Sequence, residues 1–165
     1  MKRAVLTCLL AMSWILLLGQ KPNTNHCHKL RTEENVIDGK KTTSMSGLKY
    51  TLSFAQFFRE VDGADTTFVL MASWNESWHN LDRGLILILD DGTRLEYPDA
   101  AHTATLTQQG MWSHVGLTSI PGEDLQAFTR SGIKAFRIGK VDAEIPGTAG
   151  KAIPMTNAYC LTNSK

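Results

Sequence analysis

The chain has 165 residues, of which 42% are hydrophobic and 20% charged, and its 17 basic and 16 acidic residues leave a formal net charge of +1. This length suits one domain better than two. The near-neutral balance argues against a nucleic-acid partner, because proteins that bind nucleic acid concentrate Lys and Arg into stripes that displace counterions.

The N-terminus predicts a secretory signal peptide over residues 1–20. Lys2 and Arg3 precede an apolar run of 15 residues, from Ala4 to Leu18. A short basic start followed by such a run directs export, whereas a membrane-spanning helix needs roughly 20 apolar residues. We therefore expect an exported protein, either periplasmic, at the cell surface or secreted, with no membrane span once the signal is removed.

The cleavage site is poorly marked, and this leaves two alternatives. No Ala-x-Ala sequence lies near the end of the apolar run, so the segment could remain as an uncleaved anchor. Cys8 could carry a lipid, but it stands at the front of the apolar run, where a lipid-modified cysteine should end it. Removal of residues 1–20 would leave 15 basic and 16 acidic residues, a net charge of −1.

Two cysteines remain beyond the predicted signal, Cys27 and Cys160. An even number of cysteines in an exported chain favours a disulfide, because the compartment is oxidising. The alternatives are two free thiols or an intermolecular pairing. We predict the internal Cys27–Cys160 disulfide.

Polar residues dominate positions 21–46, where Val36-Ile37 is the one apolar pair. Such a stretch buries too little surface to offset its ordering entropy. It predicts a flexible polar tether, followed by a single domain over residues 47–165. Within that domain, Ser53 to Val61 could form a short helix with its phenylalanines on one side, and a strand over Lys49–Phe54 competes with it.

Strand patterns dominate the rest of the domain. The segment 66–71 is β-branched and apolar, and 84–89 is a continuous apolar run suited to a buried strand. Asp91-Gly92 then predicts a type I′ hairpin turn into an alternating strand over 93–97. Two more strands are predicted over 102–106 and 113–120.

A helix is predicted after Pro121, since Glu123 and Asp124 in its first turn favour the positive end of the helix dipole. Gly132 is placed to end this helix in the left-handed conformation, and residues 133–138 alternate as a half-buried strand. Together these elements predict a single α+β domain with a mostly antiparallel sheet of five or six strands and one or two short helices.

The segment 84–138 resembles small exported bacterial proteins of uncharacterised function. The resemblance rests on an apolar strand, the Leu-Asp-Asp-Gly-Thr hairpin at 89–93, the Gly-Glu-Asp-Leu-x-x-Phe helix at 122–128 and the Gly-Ile-Lys-x-x-Arg-Ile strand at 132–138. The resemblance covers about a third of the chain, and its motifs are turns and the ends of helices and strands. It implies an envelope or secreted location and transfers no catalytic or binding residue.

Trp74, Trp78 and Trp112 are the main candidate binding residues, together with Asn75. Exposed aromatic rings stack on the faces of sugars, and amide or carboxylate groups nearby can bind the hydroxyls. Burial in the core is the commoner fate of tryptophan. Trp74, Trp78, Asn75 and Trp112 are therefore carried as candidate contacts for a protein or glycan ligand, with burial as the alternative.

His26-Cys27-His28 is the one spacing that resembles a set of metal ligands, but a structural site needs four ligands and a catalytic site at least three. The three residues are consecutive, and a disulfide at Cys27 would remove the thiolate. His26 and His28 are therefore weak metal candidates, and no cofactor is expected.

Catalytic motifs are sparse. Ser113 and His114 are adjacent, but neighbours in a strand point to opposite faces. The sequence therefore favours a non-catalytic module that interacts with a protein or a glycan, and the alternative is a hydrolase acting on envelope or extracellular polymers. A pocket that gathers several histidines and carboxylates with perturbed titration would favour the hydrolase; the candidates are His79, His102, His114, Glu76, Asp82 and Asp99.

Overall fold

The computed structural model describes residues 22, 24–45, 54–145 and 147–164. The predicted signal peptide and residues 46–53, with most of the competing strand over 49–54, lie outside the described residues. No helix in the described ranges combines the length and the apolar character needed to cross a bilayer.

The described chain forms two antiparallel sheets, one 3₁₀ helix and two α-helices. The six-stranded sheet has the order β1-β2-β3-β4-β8-β7, and the four-stranded sheet has the order β10-β9-β5-β6. In chain order the elements are the 3₁₀ helix Thr24–Lys29, β1 Leu30–Glu34, β2 Lys41–Met45, β3 Ala55–Asp62, β4 Asp65–Glu76, β5 Leu85–Leu89, β6 Arg94–Tyr97, β7 Ala101–Leu106, β8 Trp112–Ile120, α1 Gly122–Arg130, β9 Ile133–Ile138, β10 Val141–Glu144 and α2 Gly147–Asn163.

The predicted α+β class and antiparallel pairing are confirmed, but the sheet count differs. Ten strands lie in two sheets instead of five or six in one, and the described residues contain three helices instead of one or two. Part of the difference comes from residues 24–45, which the sequence predicts to belong to the flexible polar tether. They form the 3₁₀ helix and the hairpin β1–β2, which joins the sheet through β3.

The helix predicted over Ser53–Val61 is wrong, because residues 55–62 form β3. This strand pairs with β4 over its whole length, from Ala55 opposite Ala72 to Asp62 opposite Asp65. Phe57 is fully buried and Phe58 only partly, since successive strand residues point to opposite faces. The phenylalanines therefore divide between two faces and do not share the side of a helix.

The predicted hairpin over 84–97 is confirmed, but its turn is of a different type. Leu89 C=O accepts a hydrogen bond from the Gly92 amide at 3.0 Å, and the Leu89 amide donates to Thr93 C=O at 2.8 Å. Gly92 has φ +88°, whereas Asp91 is not in the left-handed region. A type I′ turn needs positive φ at both central residues. Only Gly92 provides it, so the loop is a three-residue turn closed by a glycine bulge.

Helix α1 forms where it was predicted, but Gly132 does not end it in the left-handed conformation. Ser131 caps the helix with extended dihedral angles, φ −137° and ψ 133°, and Gly132 is absent from the glycines of positive φ. A glycine is favoured here because a larger residue would be too close to its neighbours. A Cβ at position 132 would lie 2.8 Å from Asp90 Oδ2 and 3.0 Å from Lys151 Cβ. Gly132 therefore lets the hairpin loop and α2 approach each other.

The hydrophobic core lies between the two sheets and beneath the helices. A Cβ at Gly116 of β8 would lie 3.2 Å from Ile138 Cγ2 of β9 and 3.6 Å from Leu85 Cδ1 of β5, so this glycine marks a close approach of the sheets. Helix α1 covers one end, where the rings of Phe128 and Phe57 lie 4.8 Å apart. The inward side chains of β5, β9 and both helices complete the core.

Helix α2 is fixed to the six-stranded sheet by two long-range contacts. The predicted Cys27–Cys160 disulfide is present and joins the 3₁₀ helix to α2 across 133 residues of sequence. The buried Asn157 Oδ1 accepts a hydrogen bond from the Phe57 amide at 3.2 Å. That amide lies beyond the part of β3 that pairs with β2, so α2 satisfies a backbone group that the sheet leaves open.

Candidate functional site

The four predicted binding residues do not form one surface. Trp74 packs against the core, with ring centroids 5.1 Å from Phe54 and 6.2 Å from Phe136. Asn75 is exposed and follows Trp74 in β4, so its side chain points to the opposite face of the sheet. Only Trp78 and Trp112 come together.

Trp78 and Trp112 form an edge-to-face pair with ring centroids 4.6 Å apart. Trp112 begins β8 and is opposite Leu106 of β7 in the register. We call Trp78, Leu106 and Trp112 the aromatic patch. Its exposed fractions are 52% for Trp78 and 56% for Leu106.

Two buried histidines lie behind the aromatic patch on the same face of the sheet. His114 of β8 is fully buried, and His102 of β7 is 8% exposed. His114 Nδ1 lies 3.0 Å from His102 Nε2. His102 is opposite Gly116 and His114 is opposite Ala104 in the register, so the rings are diagonal neighbours on one face.

Each histidine uses its other ring nitrogen to hold the segment between β4 and β5, residues 77–84, which we call the β4–β5 loop. His114 Nε2 donates to the carbonyl of Ser77 at 3.0 Å, and His102 Nδ1 donates to the carbonyl of Asp82 at 3.0 Å. Because carbonyl oxygens only accept hydrogen bonds, both assignments are fixed. The two rings therefore link the sheet to both ends of the loop that carries Trp78.

Gly139, between β9 and β10, leaves the space for one of these contacts. It has φ +57°, and a Cβ there would lie 2.5 Å from the carbonyl oxygen of Asp82 and 2.9 Å from His102 Nδ1. The next residue, Lys140, forms an ion pair with the Asp82 carboxylate at 2.9 Å. The second sheet therefore supports the end of the β4–β5 loop that His102 binds.

Ser77 and His79 form the nearest approach to a nucleophile–base pair in this region. Ser77 Oγ lies 3.5 Å from His79 Nε2 in an exposed position, longer than the roughly 2.6–3.2 Å expected for such a pair. The His79 ring is 5.8 Å from that of His114. The structure thus brings three of the six acid–base candidates together, His79, His102 and His114, around a buried contact.

The weak metal candidates lie elsewhere, in the 3₁₀ helix. Cys27 is in the disulfide, and His28 Nδ1 donates to the carbonyl of Asn25 at 2.7 Å. Within the described part of the chain, no group of three His, Cys, Asp or Glu side chains is arranged to hold a metal ion.

A groove of about 350 Å³ crosses the outer face of the four-stranded sheet, with Ile86 and Ile88 among its lining residues. Arg137 binds Asp142 at its edge through two hydrogen bonds of 2.6 and 2.8 Å. This contact lowers the pKa of Asp142 and raises the pKa of Arg137. Two of the charged residues that line the groove, Arg137 and Asp142, are therefore paired with each other.

Comparison with known proteins found no matching family model, no matching curated protein and no matching solved structure.

Sequence reasoning named His102 and His114 only as isolated acid–base candidates and missed their pairing. A signal for it was present in the two strands predicted over 102–106 and 113–120. If these strands form a hairpin, His102 and His114 fall two residues apart in register and on one face. The hydrogen bonds of the two rings are complete only when the β4–β5 loop supplies two backbone carbonyls. No local sequence pattern predicts the position of that loop.

Proposed function

We propose that this protein is an exported, non-catalytic interaction module whose aromatic patch binds a protein partner. The observation that carries the proposal is the exposure of Trp78 and Leu106 on either side of Trp112. Trp is enriched among the interface positions that dominate binding energy, and aromatic residues are enriched at interfaces in general.

The composition of the patch favours a protein over a glycan. A sugar site combines a stacking ring with amide or carboxylate groups for the hydroxyls. Here Asn75, the predicted amide, belongs to the other face, and the cross-strand neighbour of Trp112 is Leu106. An aliphatic and aromatic surface suits the apolar centre of a protein–protein interface.

The acid–base geometry supports a non-catalytic role. His102 and His114 are buried, and each binds a backbone carbonyl and the other ring. These contacts hold both rings in structural hydrogen bonds, whereas a general base has to reach a substrate. Ser77 and His79 are more accessible, but their separation of 3.5 Å is long for proton abstraction.

The binding prediction can be tested by photo-crosslinking in the cells that make the protein. A photoreactive amino acid at position 106 should link to one partner, and the same residue at position 117 should not. Leu117 is a matched control, since it is 45% exposed but lies on the opposite face of β8 from Trp112. Trp78→Ala should weaken partner binding about 30-fold or more, the effect of losing a residue worth about 2 kcal/mol.

Equal crosslinking from positions 106 and 117 would contradict a specific patch. Crosslinks to a second copy of this chain would assign the patch to self-association. On a glycan array, binding that disappears in Trp78→Ala would replace the protein partner with a sugar ligand.

The export prediction is tested separately by mass spectrometry of protein recovered from the host. We expect the mature chain to begin near residues 20–25, outside the cytosol, because Lys2, Arg3 and the apolar run predict a secretory signal peptide. Full-length chain in the membrane fraction would favour the uncleaved anchor, and lipid on Cys8 would favour the lipoprotein.

A further inference from the structure

We propose that His102 and His114 share a single buried proton, and that this proton holds the β4–β5 loop, with Trp78, against the sheet. The consequence for binding rests on the proposed function of the aromatic patch, whereas the shared proton itself does not.

The proton count follows from the four ring nitrogens. Two of them, His102 Nδ1 and His114 Nε2, each carry a hydrogen that is donated to a backbone carbonyl. A neutral imidazole has only one N–H, so two neutral rings would leave two bare lone pairs facing each other at 3.0 Å. One additional proton turns this repulsion into an N–H···N hydrogen bond of ordinary length. The pair therefore carries three protons and one positive charge.

A metal ion is the other group that could lie between two nitrogen lone pairs. With Zn–N bonds of about 2.0–2.1 Å, tetrahedral zinc would hold the two nitrogens roughly 3.3 Å apart and would need further ligands. The observed separation is 3.0 Å, and the described residues supply no third ligand in place. Distance and ligand number both favour the proton.

Several charged groups surround the pair and set its response to pH. His79 lies closest, with its ring 5.8 Å from that of His114, and a charge on it would oppose the shared charge. The Asp82 carboxylate is engaged by Lys140. The remaining nearby groups are Glu76, which shares a cross-strand row with Trp112, and Arg83, which follows Asp82 in the loop.

The proton count also predicts what deprotonation of the pair does. Loss of the proton removes a charge-assisted hydrogen bond and leaves the facing lone pairs, which should release the β4–β5 loop.

The experiment uses the full processed chain with its disulfide intact, dialysed against a chelator, and no partner. Nitrogen NMR of the histidine rings should show one proton coupled to both His102 Nε2 and His114 Nδ1. Amide exchange in residues 77–84, corrected for its intrinsic pH dependence, should accelerate at least tenfold when the bridging-proton signal is lost on raising the pH, consistent with losing a hydrogen bond to a charged group.

The variants His102→Gln and His114→Gln should lose the bridging proton and the pH dependence of loop exchange. His79→Gln is the matched control, since it removes a neighbouring histidine that does not belong to the hydrogen-bonded chain; it should keep both signals. If a glutamine variant fails to fold, the bridging proton in the natural chain still decides the question.

Two unbridged neutral rings at about pH 6, or loop exchange that does not depend on pH, would overturn the proposal. Stoichiometric uptake of added Zn²⁺ with loss of the bridging signal would replace the proton with a metal. These measurements involve no partner, so they fail or succeed independently of the crosslinking experiment.

Discussion

Replacing Cys27 and Cys160 with serine is expected to lower the free energy of unfolding by about 5 kcal/mol. The disulfide closes a loop across 133 residues, and in the chain-entropy description a loop of this size restricts the unfolded ensemble by about that amount. Since many domains have only about 5–15 kcal/mol in total, a double variant could be close to unfolded at physiological temperature.

Urea unfolding of the natural chain, oxidised and reduced, and of the Cys27→Ser/Cys160→Ser variant would measure this. The reduced chain and the double variant should agree, and both should show a steeper dependence on urea than the oxidised chain, because the unfolded state without the crosslink exposes more surface. A change below about 1 kcal/mol would contradict the prediction. Two alkylatable thiols in the untreated native protein would contradict the disulfide itself.

Phe57→Ala is expected to lower the free energy of unfolding by about 3–5 kcal/mol, the usual cost of removing a buried phenyl ring. Phe57 is fully buried and packs 4.8 Å from the ring of Phe128, so the cavity would open where the six-stranded sheet meets α1. Part of this loss comes from the contact between the two rings. A double-mutant cycle between Phe57 and Phe128 should therefore give a coupling energy of about 0.5–1.5 kcal/mol.

Phe58→Ala provides the matched control for this prediction. The two phenylalanines are adjacent and chemically identical, but Phe58 lies on the other face of β3 and is partly exposed, so its loss should cost clearly less. Because a shift of one residue in strand register exchanges the two faces, equal costs, or a larger cost at Phe58, would contradict the register of β3 against β4.

The sequence by itself determined those elements whose local pattern matches their burial. The alternating strand over 133–138, the apolar run over 84–89 and the helix after Pro121 could all be placed, since one face of each is apolar or the whole segment is. The two cysteines beyond the predicted signal predict the disulfide, because cysteines are oxidised in the compartments to which the sequence predicts export. Their turns do not follow the local pattern: Asp91 is not in the left-handed region, and Gly132 is required by the close approach of Asp90 and Lys151 and not by a positive φ.

Only the tertiary structure decided the position of the β1–β2 hairpin and of α2, and the arrangement of the candidate site. Helix α2 has five consecutive buried residues, Pro154 to Ala158, so it has no apolar stripe of helical period for a sequence pattern to reveal. The polar hairpin β1–β2 is ordered by pairing with β3, an interaction between residues far apart in the chain.

Contacts with distant residues also decide which tryptophan is covered and which is exposed. Trp74 and Trp78 have similar surroundings in the sequence, but Phe54 and Phe136 cover the first ring, while the second lies on the β4–β5 loop beside Trp112. His102 and His114 become a pair only when β7 and β8 align and that loop brings two carbonyls to them. Local patterns encode which residues are apolar or polar, whereas burial and hydrogen bonding depend on which distant elements the fold brings into contact.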